Sequence, residues 1–200
     1  MRSIYNYIIS CNTRYNNSKQ IDNKELILNT EITERDYHFV NRIGEILSTP
    51  LLIKTPAKKG DKVILHHNVF RRWYDSHGQE RNSASYIGED KYVVSDDQIY
   101  AYKKNGKWEC LPQYCFVKPL YKNNKWALRT DENLSGELVY LNEELEKLGL
   151  YKGSIVGFTP NSEYEFNVDG QKLYRVLSNQ ITIDYGSKTK NSSSSGKSVN

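Results

Sequence analysis

The sequence predicts an all-β protein built as two copies of one small, partly open barrel. Composition is the first observation behind this. The chain carries 16 Tyr against a single Met, and Tyr, Val and Ile favour strands. The second is punctuation, since short apolar runs alternate with turn formers along the whole chain, the pattern of a sandwich or barrel. The third is repetition. Four sequence blocks recur in the same order in the two halves, and self-similarity of this kind marks a duplicated unit.

Taken in order, strands are expected over residues 5–10, 25–29, 44–47, 62–66, 91–95 and 98–102, then 114–118, 136–141, 154–158, 172–177 and 180–185. Lys59-Gly60-Asp61, Asn105-Gly106, Thr159-Pro160-Asn161 and Val168-Asp169-Gly170 stand between them. Gly, Asn and Asp supply the tight or left-handed backbone that such turns need. One short helix is expected over residues 142–148, with Asn142 as its N-cap and Gly149 as its stop. The polar stretch 11–24, CNTRYNNSKQIDNK, reads as a long flexible loop. Loops above about 12–15 residues in compact domains are usually functional or disordered. The Ser-, Lys- and Asn-rich end, residues 187–200, has one apolar residue, Val199, and is expected to be disordered.

The repeat is gapless where it is longest. Gly88, Tyr92, Val94 and Gln98-Ile99 fall on Gly170, Tyr174, Val176 and Gln180-Ile181. Lys59-Gly60 falls on Lys152-Gly153, and Gly44-Glu45-Ile46 on Gly136-Glu137-Leu138. Tyr7-Ile8-Ile9 lies over Cys115-Phe116-Val117. The expected domains are therefore residues 1–106 and 112–186, with a short join between them. Two segments set the first copy apart: the 11–24 loop, far shorter in the second copy at Tyr121–Lys125, and an insertion, NVFRRWYDSHGQERNSASYI, over residues 68–87, which the second copy lacks.

Several function classes recede on composition. Hydrophobic residues make up 38% of the chain, enough for a core, but no run approaches the roughly 18 uncharged apolar residues of a membrane span. The N-terminal apolar run is too brief and polar for a secretory signal. Three cysteines fit a reducing cytosol better than a disulfide framework. The net charge of +4 comes from 28 basic and 24 acidic residues mixed along the chain, whereas nucleic-acid binders concentrate their cations on one face. No G-x-S-x-G, phosphate-cradling Gly loop or H-E-x-x-H is present, so no catalytic residue, cofactor or metal is assigned. His66 and His67, adjacent in an expected strand, would point to opposite faces. Cys110 and Cys115 lack C-x-x-C spacing, and Cys11, in the loop, is open to oxidation. In the insertion, Arg71-Arg72-Trp73-Tyr74 has the residue types that stack on and pair with nucleic acid. The plainer expectation is a hairpin with Phe70 and Trp73 packed down and the arginines solvated.

This block order resembles the GroES-like co-chaperonin family. The carriers are Gly44-Glu45-Ile46-Leu47, Lys59-Gly60-Asp61-Lys62-Val63-Ile64-Leu65, Gly88-Glu89-Asp90-Lys91-Tyr92-Val93-Val94, Ser95-Asp96-Asp97-Gln98-Ile99-Tyr100 and, opening the second copy, Val117-Lys118-Pro119-Leu120. The resemblance covers nearly the whole chain except the tail. It departs from the family in lacking a Gly-Gly before the apolar triplet, where Lys24-Glu25 stands, and in being tandem. The GroES-like fold also forms the catalytic domain of medium-chain alcohol dehydrogenases, but the dinucleotide-binding half is missing here and no such activity is expected.

The resemblance implies two tandem GroES-like barrels and a non-enzymatic co-chaperonin that caps a GroEL-type chaperonin and helps a client protein fold. It implies a homo-oligomer, a heptameric ring, in the cytoplasm. The Asn-, Lys- and Tyr-rich composition points to a phage-encoded form working in the host cytoplasm on a capsid protein. It places chaperonin contact at Leu26, Ile27 and Leu28, and subunit contacts on the first and terminal strands, at Tyr7, Ile9, Ile99 and Ile181, since exposed edges invite pairing. The shorter loop of the second copy precedes Trp126-Ala127-Leu128. Two rivals stand beside this: a virion structural protein reusing the barrel, and a nucleic-acid-binding barrel using Arg71–Tyr74. Neither a membrane nor nucleic acid is an expected partner of the main reading.

Overall fold

The computed structural model describes residues 2–15, 18–22, 24–27, 40–122 and 130–187. The described chain is predominantly strand with one short α-helix. It divides into two compact units, Met1–Trp108 and Glu109–Asn200. Of the expected tail, Ser187 closes the last strand and the rest lies outside the described residues, as does Trp126-Ala127-Leu128.

In the first unit the strands are β1 (Tyr7–Ser10), β2 (Ser18–Ile21), β3 (Lys24–Ile27), β4 (Ile43–Ser48), β5 (Lys62–Leu65), β6 (Arg72–Tyr74), β7 (Glu80–Asn82), β8 (Tyr86–Gly88), β9 (Lys91–Val94) and β10 (Ile99–Lys104). A further strand, β11 (Lys107–Cys110), starts in this unit. The main sheet runs β11-β10-β5-β4-β1-β9-β8, while β2-β3 and β6-β7 are separate two-stranded ribbons. The second unit holds β12 (Tyr114–Lys122), β13 (Thr130–Tyr140), α1 (Glu143–Lys147), β14 (Ser154–Phe158), β15 (Tyr164–Val168), β16 (Gln171–Leu177) and β17 (Ile181–Ser187). Its sheet runs β15-β16-β12-β13-β14-β17. Neither sheet order closes on itself among the described residues.

Read from opposite ends, the two orders are one. β10-β5-β4-β1-β9-β8 matches β17-β14-β13-β12-β16-β15 strand for strand. The registers agree residue by residue. Tyr7 faces Val94 and Ile9 faces Tyr92; Cys115 faces Val176 and Val117 faces Tyr174. Ile9 pairs with Ile46 as Val117 pairs with Leu138, and both ladders slip at the preceding residue, Ile8 or Phe116. A one-residue slip would turn a strand inside out, so matched register places matched residues on matched faces. The shared Gln-Ile has a local reason. Gln98 and Gln180 each end a single 3-10 turn, their side-chain oxygens accepting from the main-chain N–H of Ser95 and Leu177. Their carbonyls accept from His66 and Thr159.

Each unit has its own core. Tyr7, Ile9, Ile46, Val63, Val94 and Ile99 are buried in the first. Cys115, Val117, Leu138, Val156, Phe158 and Val176 form the second. Burying one such side chain is worth roughly 1.5–3 kcal/mol. The expected helix is present as α1. Asn142 caps it by accepting from Leu145 N–H at 3.0 Å and also donates to the Tyr114 carbonyl at 3.0 Å, which ties helix to sheet. Gly149, at φ +86°, ends it.

Three expectations are corrected here. β1 lies between β4 and β9, and β10 between β5 and β11, so neither is a free edge. The side chains of Tyr7, Ile9 and Ile99 are completely buried, where the expectation set them at exposed edges. Three consecutive buried residues in β1 are the mark of a strand covered on both faces. His66 and His67 do not alternate along a strand: β5 ends at Leu65, the chain turns into a 3-10 turn, and the two rings stack at 4.4 Å.

Candidate functional site

The two units differ most where β1 and β12 end. In the second unit the same two strands stay paired beyond a register shift after Pro119, Tyr121 facing Asp131 and Lys122 facing Thr130. In the first, the strands part after Ser10 and before Ile43, and the intervening excursion leaves the sheet. Side chains take over the pairing at its stem. Asn41 donates to the Thr13 carbonyl at 2.7 Å while its own amide oxygen accepts from Ile43 N–H at 3.0 Å. Asn41 N–H donates to the Arg14 carbonyl at 2.8 Å, and Tyr15 bridges Val40. Where the strands part, a polar cleft of about 310 Å³ opens between Ser10, Asn12, Thr13, Asn41, Glu45 and Lys62.

Beyond the stem, β2 and β3 form a hairpin in which Lys19 faces Leu26 and Ser18 faces Ile27, turning at Asp22 with φ 54°. This corrects the expectation of a loop throughout residues 11–24. It also sets Leu26 and Ile27 in a ribbon of their own, apart from the main sheet. Leu28 lies outside the described residues.

The insertion forms the β6-β7 ribbon, with Trp73 facing Arg81. Phe70 is buried edge-on against Tyr92, ring centroids 4.7 Å apart. Trp73 does not pack down as expected: it is 52% exposed, and Tyr74 is 50% exposed. A two-stranded ribbon has no sheet beneath it to cover either face. The arginines are engaged rather than simply solvated. Arg72 pairs with Glu80 at 3.3 Å and Arg81 with Asp75 at 2.8 Å. Asp75 also accepts from the main-chain N–H groups of Gln79 and His77, and the Gln79 bond, then the Arg81 and His77 contacts, holds its carboxyl below the usual range. Pairing these charges spends much of the positive field a nucleic-acid contact would need.

Cys11 is buried, unlike the open thiol expected of a loop. It donates to the Thr13 carbonyl at 3.0 Å, and burial pushes its pKa up. Cys110 and Cys115 are likewise free and buried, and burial pushes Cys115 to about 12. Among the described residues no group of three His, Cys, Asp or Glu could hold a metal, and no helix is long and apolar enough to cross a membrane.

Of the expected interface residues, Ile181 is half-buried against the second core. Ile183 and Tyr185, on the same strand, are the exposed ones, and sequence reading passed over them. Their alternation along β17 was the signal available. No family model matches the chain, and no curated protein matches it.

Proposed function

We propose that this chain is a tandem GroES-like co-chaperonin that caps a GroEL-type chaperonin and assists a client protein's folding. One observation carries the reading. A six-strand pattern of one order and one register occurs twice, and the sequence blocks that carry the family resemblance sit on corresponding strands of both copies. The β2-β3 hairpin, a ribbon separate from the main sheet, then serves as the contact, with Leu26, Ile27 and Leu28 entering an apolar groove of the chaperonin. Single contacts of this kind are weak, and repetition around a homo-oligomeric ring raises their combined strength through effective concentration. Self-association falls to β17, where Ile183 and Tyr185 are exposed, instead of to β1 and β10. A phage origin, a capsid client and a host-cytoplasmic setting belong to the same proposal.

Co-sedimentation with a GroEL-type chaperonin in ATP or ADP tests it, beside a variant with Leu26, Ile27 and Leu28 changed to Ser. Nucleotide-dependent binding that the variant loses supports both function and contact. Binding that survives keeps the function and moves the contact. No binding by the folded wild-type chain rejects the proposal. A second reading, a virion structural protein, draws on one observation: the stem is tied down by Asn41 and Tyr15 in the isolated chain, as a permanent assembly component would be.

A further inference from the structure

Exposed apolar side chains of the first unit gather at one spot, where the chain enters β1 and leaves β4. Ile4, Tyr5, Leu51 and Leu52 are each 56–65% exposed. Main-chain bonds hold the two segments side by side: Leu51 N–H donates to the Ser3 and Ile4 carbonyls and Leu52 N–H to the Ile4 carbonyl, all at 3.1 Å. Arg2 and Lys54, both exposed, flank the group. An acid also reaches this end, Asp96 lying 3.4 Å from the Tyr7 hydroxyl that bonds Thr55. The second unit builds the same pairing without such side chains. Ile8 faces Ser48 as Phe116 faces Tyr140. Counting outward from those pairs sets Pro112-Gln113 at the place of Ile4-Tyr5 and Glu143-Glu144 at the place of Leu51-Leu52. The fold therefore does not require the apolar group, and an exposed apolar patch of this kind marks a contact. The matching end of the second unit carries the opposite charge. There α1 presents Glu144 and Glu146, both exposed, and Glu143, which pairs with Lys147 at 3.1 Å. Three glutamates thus stand against Lys147 and Lys152. Leu148, 78% exposed, ends the helix, exposed Tyr151 follows, and Leu150 between them joins the core. β17, the strand proposed for self-association, ends beside this turn, Ser187 facing Ser154.

We infer that the patch of Ile4, Tyr5, Leu51 and Leu52 on one chain docks on the turn carrying Leu148 and Tyr151 of a second copy, apolar on apolar, with Arg2 and Lys54 set against Glu144 and Glu146. The inference rests on the homo-oligomer of the proposed function and supplies its geometry. Two different patches on one chain make a head-to-tail contact, which repeats from copy to copy and closes into a ring where the rotation allows. Complementary charge favours this pairing and disfavours like patch on like, in which Arg2 and Lys54 would meet their own kind.

Sedimentation velocity on the full chain, with no chaperonin present, reads the contact. Leu52→Glu places here the residue type that the second unit carries at Glu144, and Leu148→Glu changes an exposed helix end, so both should keep the wild-type unfolding midpoint. If Leu52→Glu fails to fold, Tyr5→Gln, which copies Gln113, takes its place. Each variant alone should associate about tenfold more weakly than wild type. An equimolar mixture of the two should recover a one-to-one complex, since each keeps the patch that the other has lost. Wild-type association should also weaken several-fold between about 50 and about 500 mM salt. A mixture that stays monomeric while wild type associates overturns the inference and leaves the proposed function with another interface. Wild-type association in both variants does the same. A wild-type chain that stays monomeric at tens of micromolar overturns the inference together with the proposed ring. A chain that assembles in this way yet binds no chaperonin keeps the inference and loses the proposed function.

Discussion

Gly44 approaches Ile9 so closely that a β-carbon on it would stand 2.5 Å from the Ile9 Cγ2 and 3.0 Å from the Ser10 carbonyl oxygen. Gly136 repeats the relationship, with a β-carbon 2.9 Å from the Lys118 carbonyl oxygen and 3.1 Å from the Val117 Cβ. Gly44 directly precedes Glu45, the partner of Ser10, and Gly136 faces Pro119. Gly44→Ala and Gly136→Ala should each lower stability by about 1–3 kcal/mol, as overpacking does. Gly136→Ala should cost at least as much, because its obstacle is backbone. Denaturant midpoints measure this, and a change within about 0.5 kcal/mol for either would show that the close approach is not a constraint.

Burial of the thiols sets a pH dependence. Cys115 stays protonated in the fold to about 12, against an ordinary value of 9.0, and Tyr92 to about 12 against 10.0, each mainly through burial. Above pH 9 the unfolded chain sheds the Cys115 proton and the folded chain keeps it, so the folded state binds more protons and stability falls with rising pH. The loss should be about 1.4 kcal/mol per pH unit while one such group titrates. Stability should be flat from pH 7 to 8.5 and decline from pH 9 to 11. Native Cys11, Cys110 and Cys115 should react with a thiol reagent at pH 8 only after unfolding; rapid reaction of Cys115 in the native protein would contradict its burial.

The repeat was legible in sequence because turn glycines and apolar triplets keep their spacing, and those are the residues the ladder registers depend on. Which strand is an edge was not legible from terminal position, although the unbroken Tyr7-Ile8-Ile9 run already speaks for a covered strand. β2 escaped notice because Ser18-Lys19-Gln20 is polar on both faces and gives no alternation. Its available sign was Asp22, a residue type that tolerates left-handed backbone. Trp73 misled because alternation supposes a covered face, and a free ribbon has none. The stem was invisible since Asn41 and Tyr15 act through main-chain bonds to residues far along the chain.

The duplicated sheet supplies its own control for the edge of β17. Its counterpart β10 is flanked by β11, while among the described residues β17 ends its sheet. At matching positions, Ala101 is buried where Ile183 is 48% exposed, and Lys103 stands where Tyr185 is 61% exposed. Ile183 and Tyr185 are two apart and share a face. Uncovered edges with apolar side chains recruit further strands, and an edge Lys discourages it. Ile183→Lys and Tyr185→Lys should therefore shift the chain from oligomer to monomer in sedimentation velocity, with unfolding midpoints within about 0.5 kcal/mol of wild type, as for other surface changes. An unaltered oligomer in both variants would move self-association to another surface, and a wild-type chain that stays monomeric at tens of micromolar would remove the proposed ring itself.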